Sequence, residues 1–296
     1  MLQIRKSKDE LVLYGLTYLT LIFVMIVVLY PLYFIIIASV SDADMVNLGK
    51  VIIWVEGFNL DGYMTILKNN EIWTGYRNTI FYTVAGTMIN LILTLPAAFA
   101  LSRKDLAGRN SITLLITFTM FFSGGLIPLY FVVRELTILN TAWALLLPNA
   151  VSVWNLIIAR TFFQSTLPDE LSEAASIDGC SNFKFFISIA LPLSKAIVAV
   201  LALFYAVYHW NAYFHALIFI REENLFPLQL VLRDILITAQ FMQEMIEDSA
   251  QAGNALKLAE SMKYGVVVVA TLPILVLYPF LQRYFMQGVM IGAIKG

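Results

Sequence analysis

Ionisable side chains are scarce in this sequence. Asp, Glu, Lys and Arg make up only 13% of 296 residues, about half the share of an ordinary soluble domain. Six apolar segments hold none of them in their centres: 11–40, 78–101, 112–133, 142–159, 194–220 and 264–281. Proton relays and ion-coupled carriers need ionisable groups at membrane depth, so this shortage argues against both. Cysteine is almost missing as well. Cys180 stands alone, which excludes an internal disulfide and leaves too few thiols for a cysteine-based metal site. His209 and His215 are the only histidines; six residues apart on one continuous helix, they would face different ways, and the spacing is not that of a helical zinc pair. No G-x-x-x-x-G-K-[ST] phosphate loop occurs, because Gly49-Lys50 is followed by Val51 and lacks the upstream glycine. Neither paired carboxylates nor a serine with a base stands out within the spans. An ion-driven carrier and a membrane enzyme or scaffold are readings that these shortages weaken without excluding.

What is present is hydrophobic length. A helix needs ~20 apolar residues to cross a hydrocarbon core ~30 Å thick, and the six segments qualify, the fourth being the shortest. The expectation is an all-α membrane protein with six transmembrane helices, residues 1–296 forming a single transmembrane domain. The first segment is too long for a cleaved signal peptide, whose apolar stretch runs ~7–15 residues. Lys and Arg gather in the short connections on one side, notably Arg5, Lys6, Lys8, Arg103, Lys104 and Arg109. By the positive-inside rule both termini are cytoplasmic. Ser123-Gly124-Gly125 in the third segment allows a close helix approach or a local break. A short helix is expected near 61–67. The outer connection 221–263 is long, with an apolar first half after Pro227 and an acidic second half; structureless loops of such length are uncommon, which marks it as functional.

The inner connection 161–193 carries the clearest local pattern. Thr166 reads as an N-cap, Pro168 suits the first turn, and Asp169 with Glu170 complements the helix dipole. Gly179 falls where a helix terminates. The intervening helix places Leu171, Ala174, Ala175 and Asp178 on one face. Small alanines there admit a close partner surface, while Glu170 and Glu173 can reach basic groups on it. On residue types alone, an ordinary amphipathic connector is the favoured explanation of the segment.

A resemblance decides between these. Glu173-Ala174-Ala175, then Gly179, then Ile189-Ala190-Leu191-Pro192 matches the EAA-x3-G-x9-I-x-L-P pattern of permease subunits of ATP-binding-cassette importers. Cys180 and Ser181 occupy freely variable positions of that pattern. The segment from His209 through Trp210, Asn211 and Tyr213 to Leu217 resembles the carbohydrate-import branch, in particular the second permease of the maltose-transporter type. The blocks 225–233 and 288–296 look closer still to permeases for complex oligosaccharides. The resemblance implies a type I ABC importer permease fold in a bacterial cell membrane. It also implies that Glu170, Leu171, Glu173, Ala174, Ala175, Asp178 and Gly179 belong to a coupling helix docked on an ATPase. The tail with Gly288, Gly292, Lys295 and Gly296 would reach toward the ATPase pair, and 243–256 would engage a binding protein. Implied partners are a second homologous permease forming a heterodimer, two nucleotide-binding ATPase subunits, an extracytoplasmic binding protein and an oligosaccharide larger than a disaccharide; nucleic acid has no place. ATP and Mg²⁺ would sit in the ATPase, with no cofactor and no catalytic residue in this chain. Sugars are met by aromatic faces and amides, so Trp154, Asn155, Tyr208, Trp210, Asn211 and Tyr213 are candidates for the substrate path. An interfacial aromatic belt and helix–helix hydrogen bonds from the two asparagines are competing explanations.

Overall fold

The computed structural model describes residues 8–245 and 260–276. Among them there is no strand. The order is α1 (Lys8–Ser39), α2 (Ala43–Asn47), α3 (Asp61–Lys68), α4 (Asn70–Ser102), α5 (Arg109–Phe121), α6 (Leu126–Glu135) and α7 (Trp143–Leu146). It continues with α8 (Val153–Thr166), α9 (Asp169–Ile177), α10 (Asn182–Phe185), a π turn (Phe186–Ala190), α11 (Leu191–Leu193), α12 (Lys195–Trp210), α13 (Phe214–Phe219) and α14 (Leu228–Met245). Residues 260–276 are also helical, the last helix among the described residues, α15. Contacts divide the chain into two compact units, Met1–Asn69 with Asp234–Thr271, and Asn70–Arg233 with Leu272–Gly296.

In the first unit α1 is apolar all round, and nearly all its side chains from Val12 to Ile36 are exposed. A helix with no polar face whose apolar sides stand exposed suits hydrocarbon, not water. The hydroxyls of Thr17 and Thr20 are satisfied within the helix, donating to the carbonyls of Leu13 (2.8 Å) and Leu16 (2.9 Å). Asp42 then caps α2, accepting from the backbone N–H of Asp44 at 2.9 Å. The short helix expected near 61–67 is α3.

The second unit is built around α4, which packs against α8 and α12. Its core joins Leu95, Ala98 and Phe99 of α4 to Leu156, Ala159 and Phe163 of α8, and to Phe185, Phe186, Ala190, Ile197, Leu201 and Tyr205. Ala98, Ala159 and Ala190 let the backbones come close, and the ring of Phe99 meets those of Phe163, Phe185 and Phe186 at 5.9, 6.0 and 5.2 Å between centroids. Pro192 has no N–H for the carbonyl four residues earlier, and the turn before it widens to π geometry. Phe163 is 1% exposed. Phe163→Ala is expected to cost about 3–5 kcal/mol, read as a lower unfolding temperature of the purified protein.

Three of the six expected segments are interrupted, the third at the Ser123-Gly124-Gly125 stretch that allows a local break. By length and composition α1 and α4 each suffice to cross a membrane. The third segment breaks at Phe122–Gly125, where Gly125 has φ +83°, into α5 and α6 at 113° to each other. The fourth breaks between α7 and α8. The fifth is met by 182–193 at 84° and ends at Trp210, with α13 following separately. Part of the sixth, 277–281, lies outside the described residues. The apolar half of the 221–263 connection is the helix α14, started by Pro227 and anchored by buried Leu228 and Leu230.

Candidate functional site

Two places bring together the residues singled out above. The first is α9. Thr166 is not its N-cap but the last residue of α8. The residue before a proline is pushed out of helical geometry, and Leu167 accordingly takes φ −107°, ψ 98°. Pro168 (φ −62°, ψ 147°) occupies the cap position and supplies no side-chain bond. The C-terminus follows the expected pattern. Gly179 has φ +72°; its N–H donates to the carbonyl of Ser176 (3.0 Å) and that of Cys180 to Ala175 (2.9 Å). This paired arrangement closes a helix whose next residue is left-handed. Ser181, at a variable position of the motif, caps α10 by accepting from Lys184 N–H at 3.3 Å.

The expected single face is divided. Ala175, 8% exposed, packs into the core of the unit, with Ser172 half-buried beside it. Glu170, Leu171, Glu173, Ala174 and Asp178 are exposed. Helical spacing places Ser172 and Ala175 together, so the outward surface is the other side of the helix. One apolar residue missed by the sequence reading extends that surface, Ile177, 87% exposed; Phe183 of the following helix α10 is also exposed, at 75%. The signal for Ile177 was an apolar side chain on a short helix whose inward positions are filled by Ser and Ala.

The turn between α4 and α5 braces α9. Arg103 donates twice to Asp105, each bond 2.9 Å, and also reaches the hydroxyl of Ser172. Lys104 pairs with Asp169. Arg103, Lys104, Asp169 and Ser172 line a cleft of about 330 Å³. The hydrogen bond from Arg103 holds the Asp105 carboxyl below its ordinary 3.8. The sign follows: a carboxylate with a depressed folded value adds stability above 3.8, and this is lost as pH falls through the depressed value. Asp105 is largely exposed, so solvent screening keeps the gain small.

The second place is a cavity of about 820 Å³ in the second unit. Trp154, Asn155, Tyr208 and Trp210 line it; Asn211 and Tyr213 are not among its lining residues. Asn211 is the residue after α12, and its amide donates to the carbonyl of Val207 at 2.8 Å, turned back onto its own helix. The lining also includes Thr83, Asn149, Val151, Ser152 and Tyr205, which sequence reading did not select. Asn149, Val151 and Ser152 come from the non-helical stretch between α7 and α8. Irregular backbone at membrane depth is tolerated where it is buried in protein or lines a cavity. A few amides and hydroxyls set among aromatic and aliphatic walls suit a hydroxyl-rich ligand better than a bare ion.

Residues 72–291 match the family of binding-protein-dependent transport system inner membrane components. The chain belongs to this family. The permease is 39% identical to the polygalacturonan/rhamnogalacturonan transport system permease protein YtcP of Bacillus subtilis (strain 168), over 97% of this chain and 98% of that one. It is 43% identical to protein LplC of the same organism, over 90% and 89% of the two chains. A solved structure of a bacterial ABC transporter involved in import of the acidic polysaccharide alginate superposes with TM-score 0.84 at 29% identity, covering 95% of this permease and 99% of that chain. The fold is that of a type I ABC importer permease, a multi-pass helical membrane protein. Two further groups of expected contacts, the tail with Gly288, Gly292, Lys295 and Gly296 and most of the 243–256 segment, lie outside the described residues.

Proposed function

We propose that this permease forms half of the pore of an ATP-driven importer for oligosaccharides, and that α9 is its coupling helix. The observation that carries the coupling assignment is the surface of α9. Ala175 roots the helix in the core beside α8 and α12, while Leu171, Glu173, Ala174, Ile177 and Asp178 point outward. A partner pressing on that face would push on the helices that wall the cavity. The proposed assembly has six spans per permease, both termini cytoplasmic, a second homologous permease, two ATPase subunits holding ATP and Mg²⁺, and an extracytoplasmic binding protein. Saccharide cargo is supported by the relatives' named polysaccharides and by the cavity's aromatic and amide lining.

The mechanism is a population shift. Cargo-loaded binding protein favours the outward-open state and ATP favours closure of the ATPase pair. α9 links the two, so each ligand biases the same equilibrium. Hydrolysis returns the cavity to the inside. The test is uptake by proteoliposomes containing the permease with its companion permease, ATPase and binding protein. Oligosaccharide uptake dependent on ATP is expected. Trp154→Ala should lower maximal uptake about tenfold, equivalent to ~1.4 kcal/mol, with little change in half-saturation, because the binding protein sets apparent affinity. Uptake without any ATPase subunit would overturn the reading in favour of an ion-driven carrier.

A further inference from the structure

The stretch between α7 and α8, which walls the cavity, leaves backbone groups without helical partners. Two neighbouring helices supply them. Asn90 of α4, fully buried, donates through Nδ2 to the carbonyls of Asn149 (2.7 Å) and Ala150 (2.8 Å). Tyr205 of α12 accepts from the N–H of Ser152 at 3.2 Å, and its hydroxyl also bonds Thr94 at 2.7 Å. The amide of Asn90 is thereby oriented, since only its nitrogen can serve two carbonyls. Its Oδ1 must then accept, and the group facing it at 2.7 Å is Nε2 of His209. The imidazole therefore carries its proton on Nε2.

The ring is also held by shape. His209 is 3% exposed and lies on Gly86, one helical turn before Asn90. A β-carbon at Gly86 would stand 2.3 Å from Nε2. The break after Trp210 brings the second histidine round as well. His215 accepts from Nδ2 of Asn149 at 2.9 Å, and both rings border one small void of about 10 Å³ beside Tyr82. The histidines that a continuous helix would have turned apart thus hold the same stretch from two sides.

We propose that His209 is a positioning residue: acting through Asn90, it sets where the 147–152 stretch stands and thereby the cavity wall formed by Asn149, Val151 and Ser152. This deepens the reading of that cavity as the cargo path and rests on it for its significance, but its geometry can be tested without cargo. An apolar replacement of the ring preserves burial yet leaves Oδ1 of Asn90 without its donor. The amide is then free to rotate off the two carbonyls.

The experiment uses the assembled importer with Cys180→Ser and a reporter, Val151→Cys, which lines the cavity. The rate of modification by a small hydrophilic maleimide is measured. His209→Leu is expected to change that rate at least tenfold, and Asn90→Leu by a similar factor. The double variant should do no more than Asn90→Leu alone, because one residue acts through the other. His209→Gln, whose amide N–H can still donate to Asn90, should stay within twofold of the parent. Rates within twofold in His209→Leu, or factors that multiply in the double variant, would overturn the proposal. So would a His209→Gln that behaves like His209→Leu, since that is the signature of a merely space-filling ring. If His209→Leu does not assemble, His209→Asn, which keeps a donor but falls short of Asn90, replaces it with the same outcomes. Absent saccharide uptake by the parent, with the labelling pattern intact, would count against the cargo assignment and not against this one.

Discussion

Gly179→Val is expected to abolish ATP-driven uptake while the permease still inserts and folds its α4–α12 core. At φ +72° a side chain costs about 1–2 kcal/mol, and a β-branched one is among the least tolerated there. The two bonds that close α9 would be lost or lengthened, and they are what fixes the path of the chain from α9 into α10 beside Ala175, the single buried residue of α9. Cost in overall stability should be small, because Gly179 is exposed with open space around its α-carbon. Cost in docking should be large, because the outward face turns with the helix axis. Glu173→Lys provides the independent arm: it leaves the backbone alone and reverses one exposed charge, weakening association through like-charge contacts if the partner is basic there. Co-purification of the ATPase subunit and uptake are the measurements. Parent-level values of both in the two variants would remove α9 from the coupling path.

The second large effect is on stability. Gly86→Val should destabilise the second unit by on the order of 4 kcal/mol, the sum of overpacking and a buried hydrogen bond broken with its partners left inside. A β-carbon would come within 2.3, 2.5 and 2.7 Å of three atoms of the His209 ring. The ring is enclosed, so it can escape only by giving up Asn90. Adding His209→Ala to Gly86→Val should recover part of the lost unfolding temperature, since it vacates the contested space. A Gly86→Val protein that melts with the parent, or a double variant no better than the single, would show that the two residues do not meet.

Apolar run length made the membrane class and the long helices α1 and α4 legible, because a hydrocarbon core imposes a minimum length on any segment that crosses it. The left-handed end of α9 was legible at Gly179 for an equally local reason: glycine adopts that conformation without a steric penalty. The start of α9 was read wrongly at Thr166, since capping propensity competes with tertiary anchoring. Buried Phe163 and the bend at Leu167-Pro168 carry α8 through Thr166 before the chain can turn. The helix face was only half legible, because a small residue such as Ala175 fits a core and a docking surface equally well.

Asn211 and Trp210 show the same limit at the cavity. Both are adjacent in an aromatic-asparagine segment, yet one lines the cavity and the other turns its amide back onto Val207. Sequence alone determined that this chain lives in a membrane, that its apolar segments lack charge in their centres, and that the 173–179 motif ends in a glycine suited to the left-handed conformation. Tertiary structure alone decided where the fourth and fifth segments break and which residues face the cavity. The reason is the origin of the bonds that make a break affordable. The carbonyls of Asn149 and Ala150 are satisfied by Asn90, 59 and 60 residues away, and Asn90 by His209 at a separation of 119. Hydropathy sums over neighbours in sequence and carries no information about partners so distant along the chain.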